Sequence, residues 1–241
     1  MLSGVDLDPR FIATYANDSK VMQMRSDIGS KQDELIDIIL SEEEIDASKV
    51  LRILFPEMQA DVFISHSRDD KDKAYKISKD LYDAHGLRCF IDSEVWGSAY
   101  DLLKAIDDKY CKSVGGEFYD YKKRNLSTAH VYTVLNTALQ RVMYNCKYFL
   151  FLRTDASTKL SSIGDSDQTY SPWIHMELSF SSMIIKSKIQ KSMEGMVVNE
   201  DASPLRFFHD LNTDHLSKRD WRDYDPFVRG EKTLSEFFSG I

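Results

Sequence analysis

DVFISHSRDDKDKAYKISKDLYDAHGLRCFID (Asp61 to Asp92) decides the fold. DVFIS (Asp61 to Ser65) is a short apolar run bounded by polar residues, the pattern of a strand buried on both faces of a parallel sheet. AYKISKDLYDAHG (Ala74 to Gly86) then places Ile77, Leu81 and Ala84 on one helical face, with Gly86 as the C-terminal stop. LRCFID (Leu87 to Asp92) supplies the next strand. Strand, helix, glycine and strand within about 30 residues make a βαβ unit.

Downstream the same alternation continues. Two helices, Tyr100 to Tyr110 and Ala129 to Asn145, flank a loop from Lys112 to Thr128 that contains Gly and Tyr. KYFLFLRT (Lys147 to Thr154) is a third buried strand. After a polar loop, Ser171-Pro172 opens a helix that runs to about Lys188, with serine as cap and proline at the first helical position. GMVVNE (Gly195 to Glu200) reads as a fourth strand and TLSEFFSGI (Thr233 to Ile241) as a last helix. Upstream, KQDELIDIIL (Lys31 to Leu40) and ASKVLRILF (Ala47 to Phe55, stopped by Pro56) are helical. The expected organisation is therefore an N-terminal helical extension over 1–58 and a main domain over 59–241, with a helical insertion at about 98–145. The main domain is α/β and flavodoxin-like, a mainly parallel central sheet with helices on both faces.

The 241 residues carry a net charge of -8, with an isoelectric point near 5.3. An acidic chain of this kind argues against non-specific binding to nucleic acid or anionic membrane. No apolar run approaches the roughly 18 residues of a spanning helix. The start, MLSGVDLDPR, lacks the order of a signal peptide. Cys89, Cys111 and Cys146 are odd in number and widely spaced, so neither a disulfide framework nor a thiolate metal site is expected. A cytoplasmic location follows as the expectation, with no metal and no resident cofactor.

In doubly wound sheets ligands bind beyond the carboxyl ends of the strands. Those ends present Ser65, His66, Ser67 and Arg68, then Asp92, Ser93, Glu94 and Trp96, then Arg153, Thr154 and Asp155. They are either a polar ligand site or ordinary polar loops. Glu177 is more informative. Trp173, Glu177, Phe180 and Ile184 share one helical stripe, and all but the glutamate are apolar. A carboxylate against Trp and Phe is expected to be partly desolvated unless Arg68 or Lys147 pairs with it. Tyr119, Tyr121, Lys122, Lys123 and Arg124 form a basic-aromatic cluster suited to stacking a base and holding phosphate, or a solvated loop. No glycine-rich phosphate loop and no nucleophile elbow are present.

Four stretches together resemble the Toll/interleukin-1 receptor (TIR) domain family. DVFISHSRDD (Asp61 to Asp70) is similar to its first strand and following loop, and GLRCFIDSEVWG (Gly86 to Gly97) to its second strand and BB loop. NCKYFLFLRT (Asn145 to Thr154) is similar to its third strand. SPWIHMEL (Ser171 to Leu178) resembles the Trp-x-x-x-Glu helix start of the members that cleave NAD. The resemblance covers about Ala60 to Lys188. It implies NAD as substrate, Glu177 as the catalytic carboxylate, and Trp173, Asp92, Trp96 and the 65–68 loop as substrate-binding; Tyr119 and Tyr121 of the basic-aromatic cluster are expected to join them. It also implies self-assembly through TIR contacts and an ADP-ribose-derived signal, cyclic or conjugated, for a downstream effector in antiphage defence. The two helices and tyrosine-rich loop before the third strand depart from the usual pattern and resemble insertions in bacterial defence members. A non-catalytic TIR scaffold and a nucleoside deoxyribosyltransferase-like enzyme remain the alternatives.

Overall fold

A computed structural model describes residues 2–12, 46, 48–49, 60–91, 93–113, 115–116, 118–160, 167–186 and 209–239. The described residues include eight strands: β1 (Ser3–Leu7), β2 (Val62–Ser65), β3 (Cys89–Ile91), β4 (Tyr148–Leu152), β5 (Lys159–Leu160), β6 (Asp167–Thr169), β7 (His209–Asp210) and β8 (Ser217–Arg219). Five of them form a sheet in the order β3-β2-β4-β1-β8, with every pairing parallel. The other three make a small antiparallel sheet, β5-β6-β7.

Both faces of the large sheet are covered, which is why its strands are near-continuous apolar runs. On one face Val5, Leu7, Val62, Ile64, Leu150 and Leu152 meet α1 (Lys71–His85) and the C-terminal helices α5 (Trp221–Val228) and α6 (Leu234–Ser239). On the other, Phe63, Phe149 and Phe151 pack under α2 (Ser93–Tyr110), α3 (Tyr121–Asn145) and α4 (Pro172–Lys186). Phe63 stacks between Phe90 and Phe149, with ring centroids 5.4 and 5.8 Å away. Each such fully buried side chain contributes about 1.5–3 kcal/mol. The βαβ unit closes as its spacing predicts. Gly86 takes φ 66° at the end of α1, and its N–H bonds the Tyr82 carbonyl at 2.8 Å.

The N-terminal extension is corrected by β1. Residues expected to precede the main domain instead form a strand inside its sheet, in register with β4 from Ser3↔Tyr148 to Leu7↔Leu152 and with β8 from Val5↔Ser217. Val5 and Leu7, two apart, are buried on one face. On the other, Gly4 has no room for a Cβ, which would run into Leu216. The two expected N-terminal helices lie outside the described residues apart from Ser48 and Lys49, which are helical, and so does the strand expected at Gly195 to Glu200.

Helix α3 begins at Tyr121, eight residues before the expected start, because the Asp120 side chain accepts the Lys123 N–H at 3.0 Å as an N-cap. It runs antiparallel to α2: Asp107 accepts from Arg124 at 3.0 Å and from Ser127 at 2.6 Å. A helix of 25 residues is about 37 Å long. A five-residue strand such as β4 spans about 16 Å. Since α2 starts at the carboxyl edge of the sheet and α3 ends at the amino edge, the hairpin overshoots the carboxyl edge. Among the described residues no helix is long and apolar enough to cross a membrane.

Candidate active site

The helices that follow β2 and β4 cover opposite faces of the sheet, so the switch point lies between the carboxyl ends of these two strands. Ser65 is the last residue of β2. By the two-residue period it faces the side of Phe63, under α4. It is fully buried, and its hydroxyl has no hydrogen-bond partner among the described residues. His66 is buried beside it. Its Nδ1 lies 3.2 Å from the Ile64 carbonyl, to which it donates, and its Nε2 lies 2.8 Å from the Ser93 hydroxyl. Ser67 is half-buried, Arg68 is exposed, and the single 3-10 turn Arg68–Asp70 follows. Thr154 donates to the buried Asp70 carboxylate, which stitches the loop after β2 to the loop after β4.

Glu177 sits in the second turn of α4 and is 0% exposed. The helix starts as its sequence predicts, with the Ser171 hydroxyl accepting the Ile174 N–H at 3.3 Å. One turn before Glu177, the half-buried Trp173 packs on the Tyr132 ring of α3 at 5.2 Å between centroids. One turn after it, Ser181 is also fully buried and its hydroxyl lies 2.8 Å from His215 Nε2. Ile174 and Leu178 flank this polar line and enter the core. Of the two cations considered for Glu177, Lys147 pairs with Asp61 at 3.1 Å and Arg68 points to solvent.

Of the remaining expected site residues, Tyr119 and Tyr121 lie elsewhere. Asp92 falls outside the described residues. Trp96 belongs to α2, so a helix stands where the resemblance implies the BB loop. Tyr121 is the first residue of α3 and is not in a loop. Tyr119 and Tyr121 are at the hairpin tip, the length of α2 (about 27 Å for 18 residues) from Ser93. The structure therefore does not bring them to Ser65 and His66. The Tyr119 hydroxyl is held by Asp108 at 2.5 Å, which pushes its pKa up, and Arg124 lies 4.9 Å over the ring.

On the other half of the carboxyl edge, a cavity of about 380 Å³ opens over β4, β1 and β8. Its lining is Asp6, Asp8, Arg153, Lys218, Arg219, Asp220 and Asp223. Of the strand-end residues singled out above, only Arg153 lines it. Arg153 grips Asp6 through Nε at 3.0 and 2.9 Å and through Nη2 at 2.6 Å. It also reaches Asp167 on β6, and Thr213 at 2.9 Å. Burial works against its charge, but the two carboxylates outweigh that and raise its pKa. Asp8 is held below the ordinary carboxylate range by its bond from Arg10. Burial pulls Asp223 the other way, yet its bond from Lys232 leaves it lowered as well. Asp6 and Asp8 are not legible as site residues because their strand falls within the range expected to be a helical extension. The alternation of Val5 and Leu7 was the available signal.

Fold and site together define a doubly wound parallel α/β protein with buried polar groups at its switch point and a charged cavity beside them. No family model, no curated protein and no solved structure matches the chain. Among the described residues, no group of three or more His, Cys, Asp or Glu side chains is placed to hold a metal ion.

Proposed function

We propose that this protein is a cytoplasmic enzyme that cleaves the nicotinamide–ribose bond of NAD, with Glu177 as the catalytic carboxylate. The observation that carries the reading is a glutamate with no exposed surface on the inner face of α4, one turn from the Trp173–Tyr132 pair. Taking a carboxylate out of water costs several kcal/mol, which packing alone does not require at that position. The chemistry suits such a group. Nicotinamide in NAD is already cationic and leaves without a general acid. The ribose then passes through an oxocarbenium-like transition state, which a fixed anion in a dry site stabilises. Trp173 would wall the nicotinamide, and Ser65 and His66 would meet the ribose. Because Glu177 is covered, substrate enters only as the side chains over it move. The TIR resemblance supplies the rest of the proposal: self-assembly, and an ADP-ribose-derived product, cyclic or conjugated, read by an effector.

A second reading, a non-catalytic interaction module, is favoured by one observation. The hairpin tip exposes Phe118, Tyr121 and Leu126 at 73, 78 and 61%. Incubating wild type and Glu177→Gln with NAD and following nicotinamide by chromatography separates the two. Release by wild type and its loss in a folded variant supports the enzyme. Equal release by both removes Glu177 from the chemistry, and no release from either at high protein concentration supports the module. A trapped glycosyl-enzyme on Glu177 would instead indicate the deoxyribosyltransferase type of reaction.

A further inference from the structure

We propose that the cavity over β4, β1 and β8 is a binding site for a small sugar phosphate, separate from the site at Glu177. Its position is the first ground: it lies beyond the carboxyl ends of parallel strands, where doubly wound sheets take their ligands. Size is the second. At about 380 Å³ it stands at the low end of the range for small-molecule sites, enough for a phosphorylated pentose and too little for a dinucleotide.

The hydrogen-bond inventory gives the chemistry. Most of the lining carboxylates are already served by their own cations: Asp6 by Arg153, Asp8 by Arg10 through both oxygens, and Asp223 by Lys232 at 2.9 Å. The lining cations keep unused donors. Arg219 spends Nε on the Phe237 carbonyl, Nη1 on that of Lys218 and Nη2 on that of Glu236, so each Nη retains a hydrogen. Arg153 has one Nη1 hydrogen beyond its bond to Asp167. Lys218 is exposed and has no partner among the described residues, leaving all three of its hydrogens. These unspent cationic donors call for an anion rich in acceptor oxygens, as a phosphate monoester is. Asp220 calls for a second feature. Its side chain accepts the Arg222 N–H at 2.8 Å and the Asp223 N–H in the capping box of α5, and a carboxylate, with about four lone-pair sites, can still accept from a hydroxyl. Phosphate at the Lys218–Arg219 side and hydroxyls at Asp220 describe a sugar phosphate.

Isothermal titration calorimetry of the full chain tests this, with ribose 5-phosphate, ribose and inorganic phosphate as separate probes. Saturable one-to-one binding of ribose 5-phosphate is expected, with each fragment weaker by about tenfold or more. Lys218→Ala, at an exposed side chain that holds nothing else in place, should weaken ribose 5-phosphate by about tenfold. Asp220→Asn keeps a competent helix cap, so it should weaken ribose 5-phosphate and leave inorganic phosphate unchanged. Glu177→Gln should bind like wild type, so failure of the NAD reading leaves this site standing. No saturable heat at millimolar probe, or full binding by Lys218→Ala, overturns the proposal. Inorganic phosphate binding as tightly as ribose 5-phosphate overturns its sugar part.

Discussion

Replacing Arg153 by methionine should be among the most damaging single changes in the described structure. Asp6 is 2% exposed in the middle of the sheet, and Arg153 donates to both its oxygens. Removing one partner of a buried pair leaves an uncompensated charge, which costs about 3–5 kcal/mol. The loss of the bonds to Asp167 and Thr213 adds to that, because they tie β6 and the segment before β8 to the sheet. A domain of ordinary stability has only about 5–15 kcal/mol to lose. Urea unfolding followed by circular dichroism reads the effect as a lower midpoint at unchanged slope. The Asp6→Leu/Arg153→Met double variant separates charge from packing. Replacing the whole pair by apolar side chains is often neutral or stabilising, so most of the loss should be recovered. A shift under about 1 kcal/mol for Arg153→Met would mean that solvent already screens the pair, as at a protein surface. A double variant as unstable as the single would show that the unpaired charge is not the source of the cost.

Two further outcomes follow from titration. Asp8 is lowered by its Arg10 bond; Asp61 and Asp223 are lowered against the pull of burial by bonds from Arg88 and Lys147 and from Lys232. A carboxylate depressed in the fold contributes stability above its unfolded value, near 3.9, and loses it as pH falls through the folded value. The melting temperature should therefore hold between about pH 8 and pH 5 and fall below about pH 4; a decline centred near pH 6 in a pH series of melts would contradict this. Burial pushes the Cys89 and Cys146 thiols up to about 12 and raises Cys111 as well. Ellman's reagent at pH 8 should find no reactive thiol in the native protein and all three in denaturant; fast reaction of one thiol in the folded state would refute the packing described around it.

The elements legible in the sequence are those whose burial is local and two-sided. β2, α1, β3 and β4 announce themselves because helices on both faces force apolar runs and one clean amphipathic helix. The cap at Ser171 and the apolar stripe around Glu177 were legible for the same reason. β1 was not, because its centre is the charged Asp6, and the residue that makes that charge tolerable is Arg153, at the far end of a strand 147 residues away. The start of α3 was hidden differently. Where the hairpin overshoots the sheet none of the described residues covers it, so Tyr121 to Leu126 are exposed and carry no apolar period to read. Tyr119 and Tyr121 were drawn into the expected site by composition, whereas the length of α2 removes them from it.

The place of β1 bears on how the chain reaches this structure during translation. β1 leaves the ribosome long before its neighbours, since β4 begins at Tyr148 and β8 at Ser217. Until both have emerged, β1 is an unpaired strand, with Val5 and Leu7 uncovered. Closing so long a loop is slow, and an open strand edge is the kind of surface that captures other chains. The βαβ unit from Asp61 to Asp92 needs no such wait. The nascent protein is therefore most exposed to misassembly in the interval between folding that local unit and admitting β1 to the sheet.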